Sequence, residues 1–295
     1  MKNNHIILNS IIKNTAVALL TLVACTANLQ AQGLIVYKTD GSTIKLPAEE
    51  VQRIAAYDYG EDPVTPGGDT GEAPAGAKAV DLGLPSGTKW ANMNIGATSP
   101  QESGLYFAWG ETTGYTSDTT DGRLFDWANY KWMADGQSDW MYINKYQIAD
   151  GKTEACWYEY DWDIVDYKFI GDSLTVLEVS DDAAAANWGG DWRMPTIEDY
   201  QELLANCTSE WITVGNVSGR KFTSKVNGNA IFFPAAGYRD GGSLDYVGAR
   251  GFYWSASLST SYSSRGRYLY FYSGDVSTGY GNRYFGQSVR AVLRN

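Results

Sequence analysis

The chain has 295 residues, 44% of them hydrophobic, and a formal net charge of −11, enough for one large domain plus a small appendage. An acidic surface of that kind repels nucleic acid and anionic lipid headgroups, so no nucleic-acid partner is expected. The single histidine, His5, lies in the N-terminal segment. Once that segment is removed, Ser-His-Asp and Cys-His nucleophiles, histidine bases and histidine metal ligands are all excluded.

Lys2 and Lys13 precede an apolar run from Ala16 to Ala24 that is too short for a stable bilayer anchor and reads as an export signal. Two exits compete. Leu22-Val23-Ala24-Cys25 fits a lipobox that would lipidate Cys25, and Leu29-Gln30-Ala31 before Gln32 suits ordinary cleavage. Cleavage after Ala31 is the expected exit, because folded-looking sequence starts at Leu34; residues 1–31 are then a signal peptide and the protein is secreted or displayed on the cell surface. Lipidation of Cys25 is the alternative, an outer-membrane lipoprotein that meets the membrane only through its acyl chains. Without Cys25, Cys156 and Cys207 remain in a compartment that permits disulfides, and a bridge or two separate thiols both fit.

Residues 32–57 read as a short β-hairpin segment, with Leu34–Tyr37 and Thr43–Leu46 turning at Asp40-Gly41. Residues 58–76 are rich in Pro, Gly and acids, which is linker composition. Residues 77–295 read as one α+β domain of short strands and loops with two helices. The first is predicted over Asp181–Asn187 with Ser180 as N-cap. The second follows Thr196, where Thr196-Ile197-Glu198-Asp199 makes a capping box ahead of an apolar face of Ile197, Tyr200, Leu203 and Leu204. Ala230–Pro234 reads as a strand, and alternating Val289, Ala291 and Leu293 predict a half-buried final strand.

The stretch 259–285 is built largely from Tyr, Ser, Gly, Arg and Asn, the alphabet of antibody paratopes. In Tyr268-Leu269-Tyr270-Phe271-Tyr272 the apolar pair falls on one strand face and three tyrosines, about 6.7 Å apart, on the other. The same 27 residues contain no Lys, Glu, Gln, Met or Trp, types that supply 48 of the 295 positions. Those five types are the ones an Asn codon (AAC or AAT) cannot reach by changes at its two adenines, whereas every type present can be reached. A plain Tyr/Ser-rich hairpin without a ligand accounts for the composition equally. The candidate ligand-binding residues are Tyr246, Ser259, Thr260, Tyr262, Ser264, Arg265, Arg267, Tyr268, Tyr270, Tyr272, Asp275, Ser277, Tyr280, Asn282, Tyr284 and Phe285. The tyrosines, with Arg265, Arg267 and Asn282, are expected on one exposed face above buried Leu269, Phe271 and Val289.

Other groupings have blander readings. Trp132, Trp140, Trp157 and Trp162 in residues 127–168 read as the satellite core of an insertion, with sugar stacking as the alternative. Asp161, Asp163 and Asp166 lack the Gly and Glu of a calcium loop, and no metal or cofactor is expected. Glu198 and Glu202 read as solvated helix charges rather than glycosidase carboxylates. Arg239 and Asp240 read as a turn with a structural ion pair.

Several motifs carry a resemblance: Val80-Asp81-Leu82-Gly83-Leu84-Pro85-Ser86-Gly87-Thr88-Lys89-Trp90, Tyr106-Phe107-Ala108-Trp109-Gly110-Glu111, Trp192-Arg193-Met194-Pro195-Thr196, Phe233-Pro234-Ala235-Ala236-Gly237-Tyr238-Arg239, Tyr253-Trp254-Ser255 and Ser288-Val289-Arg290. Together they resemble the secreted Bacteroidetes/Fibrobacter major paralogous domain proteins, relatives of formylglycine-generating-enzyme-like domains, over roughly residues 78–295. The resemblance implies a C-type-lectin-like fold whose terminal strand pairs near the domain start. It also implies that residues 259–285 occupy the stretch that retroelements diversify in some relatives. The enzymes of that superfamily need late cysteines or histidine ligands, and this chain has no Cys after Cys207. The sequence therefore predicts an exported, non-catalytic protein that recognises a protein or glycan ligand. A structural or adhesive envelope protein is the alternative, and a carboxylate-dependent hydrolase a remote one.

Overall fold

The computed structural model describes residues 33–37, 43–47 and 73–293. The expected signal peptide with Cys25, the turn at Asp40-Gly41 and most of the linker lie outside the described residues. The chain divides into two compact units between Thr65 and Pro66. In the first, β1 (Gly33–Tyr37) and β2 (Thr43–Pro47) pair antiparallel, with Leu34 opposite Leu46 and Val36 opposite Ile44, as the hairpin reading expects.

The second unit is α+β and dominated by short strands. β3 (Ala79–Asp81), β4 (Lys89–Ala91) and β5 (Tyr106–Phe107) precede a long irregular stretch holding the hairpin β6 (Tyr158–Asp161) and β7 (Asp166–Phe169). Helices α1 (Ala183–Trp188) and α2 (Ile197–Asn206) flank β8 (Trp192–Arg193). Next come the meander β9 (Cys207–Val214), β10 (Val217–Ser224) and β11 (Ala230–Pro234), then the small pair β12 (Tyr238–Asp240) and β13 (Ser243–Asp245). β14 (Arg250–Leu258), β15 (Arg265–Tyr272), β16 (Val276–Asn282), β17 (Gln287–Ser288) and β18 (Val292–Leu293) complete the described chain. No helix of the described residues is long and apolar enough to cross a membrane.

Local chemistry explains both helices. The Thr196 hydroxyl accepts from the Asp199 amide, and the Asp199 carboxylate accepts from the Thr196 amide at 2.8 Å, the capping box read from the sequence. Ile197, Tyr200 and Leu203 are buried below it. The first helix starts later than expected. Ser180 sits in a 3-10 turn over Val179–Asp181, and the cap is Asp182, which accepts from the amides of Ala184 and Ala185 at 2.8 and 3.0 Å. Its carboxylate also takes the Met194 amide at 2.8 Å. One acid thereby ties the helix start to the residue that follows β8.

The largest sheet has the order β16-β15-β14-β17-β5 and is antiparallel except where β14 meets β17. It separates two cores. Tyr253, Leu269 and Phe271 face a cluster with Trp90, Tyr200, Phe222 and Phe233, whereas Trp254, Ala256 and Leu258 face one with Trp109, Tyr146 and Trp188. Gly251 is required beside the first, since a Cβ there would lie 2.1 Å from a Phe271 ring atom.

The final segment departs from its half-buried reading. It is broken into β17 and β18, and Val289, Arg290, Ala291 and Val292 are all fully buried. β18 sits between β4 and β8, with Val292 opposite both Trp90 and Arg193. Burial on both sides is possible because each Arg290 guanidinium nitrogen is hydrogen-bonded, to Asn94 Oδ1 at 2.9 Å and to the carbonyls of Ala91 and Phe232 at 3.1 and 2.9 Å. Phe271→Ala is expected to lower the unfolding free energy by about 3–5 kcal/mol in denaturant titration, because it empties a site walled by Tyr253 and Trp211 rings.

Candidate functional site

The hairpin of β15 and β16 carries the Tyr/Ser-rich stretch, and its register sorts the candidates. Tyr268 lies opposite Gly279, Tyr270 opposite Ser277, Arg267 opposite Tyr280, and Arg265 opposite Asn282. Directly paired residues share a face. The tyrosine row therefore lies on one face, and Arg265, Arg267, Tyr280 and Asn282 on the other, with Leu269. The expectation of a single face does not hold, because the pleat alternates through the arginines as strictly as through the tyrosines.

The tyrosine face forms an aromatic platform. Phe252 packs between Tyr268 and Tyr270 at centroid distances of 5.8 and 5.0 Å, and Tyr270 meets Tyr272 at 5.9 Å. Tyr238 joins Phe252 at 4.9 Å and stacks on Tyr246 at 6.0 Å, with the Arg250 guanidinium 4.3 Å from the Tyr246 ring. Tyr246 holds a left-handed backbone, φ 60°, unusual for a bulky residue and strained by about 1–3 kcal/mol. Exposure rises along the row: Tyr268 and Tyr270 are half-buried, whereas Tyr272 is 40% and Tyr246 46% exposed. Tyr268 falls short of the expected exposure because Trp254 and Phe252 cover its ring, and burial raises its phenol pKa.

The other candidates separate into groups. Ser259 is buried, its amide donating to the Arg265 carbonyl, so it belongs to the frame. Tyr284 and Phe285 are half-buried, packed on Trp127 and Tyr238 at 4.8 and 5.1 Å. Thr260 and Asp275 are exposed and Ser277 half-buried. Leu269, Phe271 and Val289 are fully buried, as expected.

A second surface lies at the start of the hairpin. Tyr262 and Tyr280 meet at 5.8 Å, and the Arg265 guanidinium stands 4.7 and 5.1 Å from their rings. Tyr262, Ser264, Arg265 and Asn282 form one wall of a cleft of about 300 Å³, and Trp127, Trp140, Asp150 and Lys152 form the other. Of that second wall, sequence reasoning singled out Trp140 alone, with sugar stacking as its alternative role; it missed Trp127, Asp150 and Lys152, as it missed Tyr238 and Phe252 on the platform. The alternation of Phe252 with buried Tyr253 was the available signal for the latter.

What joins the stretch to the irregular segment 127–168 is a residue not among the candidates. Arg283 is fully buried; its Nε donates to the Tyr130 hydroxyl at 2.8 Å and its Nη1 to the carbonyls of Lys145 and Ser263, each at 3.0 Å. The Trp109 ring lies 4.8 Å from the guanidinium. That segment is itself braced by Asp181, which accepts from Lys131, Lys145 and Tyr146. Burial opposes the Asp181 charge, but hydrogen bonds from Lys145, Tyr146 and Lys131 outweigh it and hold the pKa below the usual carboxylate range.

The blander groupings resolve as follows. Trp157 is buried with Met133, Ile143 and Ala155, the expected satellite core, whereas Trp162 is 82% exposed. Arg239 pairs with Asp121 at 2.7 and 3.0 Å rather than with its neighbour Asp240, because its fully buried side chain points back into the domain. Glu202 is not a free helix charge: it accepts from the amide and hydroxyl of Ser86 at 2.8 and 2.6 Å. Cys156 and Cys207 are separate thiols, and burial pushes Cys207 up to about 11. Among the described residues no three His, Cys, Asp or Glu side chains converge as metal ligands.

Searches against protein-family models, curated proteins and solved structures find no match to this chain.

Asp181→Asn is expected to lower stability by about 2 kcal/mol at pH 7. A depressed folded pKa stabilises above the unfolded value, about pH 4, and that stabilisation fades as pH falls through the folded value. The difference between variant and parent in urea titrations should therefore shrink below pH 4. A difference independent of pH would assign the effect to packing alone.

Proposed function

We propose that this chain is an exported, non-catalytic recognition protein. Its α+β domain is read as a C-type-lectin-like scaffold, with β18 bridging β4 and β8 in support. Residues 259–285 are read as a stretch open to diversification, and the partner as a protein or glycan outside the cell. The observation that carries this reading is the split within the hairpin. Leu269, Phe271 and Arg283 are fully buried, while Tyr270, Tyr272, Tyr280 and Arg265 reach solvent on a fixed backbone. Rigid tyrosines on a preorganised frame lose little entropy on binding, and aromatic and Arg anchors carry most interface energy. The platform supplies such anchors, with Tyr246 and Tyr238 extending it.

The test is the double variant Tyr270→Ala/Tyr272→Ala. Its unfolding free energy should fall by about 1 kcal/mol or less per site. On arrays of extracellular proteins and glycans, a ligand held by the parent at the platform should be lost. An array ligand retained undiminished by the double variant would remove the platform from the reading.

A further inference from the structure

We infer that the cleft between segment 127–168 and the start of the hairpin binds a sugar acid, a pyranose ring carrying a carboxylate. The inference deepens the recognition reading and rests on it for the role of the hairpin. Three features of the cleft meet. The first is charge: Arg265 and Lys152 both line it, and among the described residues neither forms an ion pair. Asp150 lines the cleft too, but its carboxylate already accepts from the Trp157 indole and the amides of Lys152 and Ser263. Two unpartnered cations against one hydrogen-bonded carboxylate leave the cleft net positive and favour an anion, and an Arg fork suits a carboxylate. Arg265 is also held in place, its guanidinium within about 5 Å of two tyrosine rings, so little rotamer freedom remains to be lost.

The second feature is aromatic surface. Trp127 and Trp140 line the opposite wall and are each half-buried. The negative face of an indole suits the weakly positive C–H face of a pyranose. The third is hydroxyl-sized polarity. Ser264 lines the cleft, and Asn282 does so with its amide nitrogen already donating to Tyr284 and its amide oxygen open as an acceptor. At about 300 Å³ the cleft is at the small end of ligand sites, room for one ring rather than a long chain. A simple anion such as phosphate would use the cations and leave the indoles idle; a neutral sugar would leave the cations unpaired.

The test titrates the full chain with methyl glycosides of glucuronic, galacturonic and N-acetylneuraminic acid, each beside its carboxyl-reduced counterpart. Binding is followed through the indole N–H resonances. At least one acid should shift the Trp127 and Trp140 signals, bind at least ten-fold more tightly than its neutral counterpart, and weaken as salt rises. Arg265→Met and Lys152→Met should each weaken it at least five-fold, with the signals of Trp90 and Trp254, both buried away from the cleft, unmoved as a check on folding. Absence of binding by all three acids, equal binding of acid and neutral forms, or indifference to Arg265→Met would overturn the inference. Tyr270→Ala/Tyr272→Ala should leave sugar-acid binding unchanged. An array ligand lost in that double variant, with no sugar acid bound, defeats the cleft alone; a sugar acid bound through Arg265, with no ligand at the tyrosines, defeats the platform alone.

Discussion

A domain that joins its longer strands through two-residue strands and long loops buries backbone that no ladder satisfies, and buried arginines help to resolve that conflict. Among the described residues Arg239, Arg283 and Arg290 are 0% exposed. Each guanidinium offers five donors in a planar fork, enough to serve several stranded carbonyls at once. Arg283 satisfies Lys145, Tyr146 and Ser263; Arg290 satisfies Ala91 and Phe232. Burial disfavours the Arg283 and Arg290 charges, and it pushes Arg290 down to about 10 although nearby Tyr253 and Tyr200 oppose the shift. Aromatic faces compensate in part: Phe233 lies 4.3 Å from Arg290, and Trp109 and Tyr130 flank Arg283.

The consequence for function is a hairpin with divided duties. Arg283 and Ser263 hold its base against segment 127–168, the Ser263 hydroxyl accepting from the Ile148 amide and its own amide donating to Asp150. Gly279 lets the Tyr268 ring lie across β16, where a Cβ would stand 2.7 Å from it. Side chains beyond that frame can change without disturbing it. Recognition surfaces need that separation, because an anchor that also holds the fold cannot be varied freely.

Local features were legible in the sequence and distant ones were not. The Thr196–Asp199 capping box, the hairpin of β1 and β2 and the burial of Leu269 and Phe271 follow from spacing within a few residues. The Asp182 cap was missed because its worth comes partly from Met194, beyond the reach of a helix-start pattern. Arg239 was assigned to its neighbour because Asp121 is 118 positions away. Arg283 drew no reading, since nothing local marks a charge that distant carbonyls will surround. The same blindness hid the cleft: its two walls, Trp127 to Lys152 and Tyr262 to Asn282, meet only in the fold.

The central claim is that residues 259–285 divide into a fixed frame and a free display, and the most direct measurement is protease resistance across all single substitutions of that stretch. Resistance should collapse for nearly every replacement at Ser263, Leu269, Phe271 and Arg283, where side chains are buried. It should hold for nearly every replacement at Tyr262, Arg265, Tyr270, Tyr272 and Tyr280, which face solvent at least in part. Uniform tolerance across the stretch, or collapse at the display positions with tolerance at Arg283, would contradict the division.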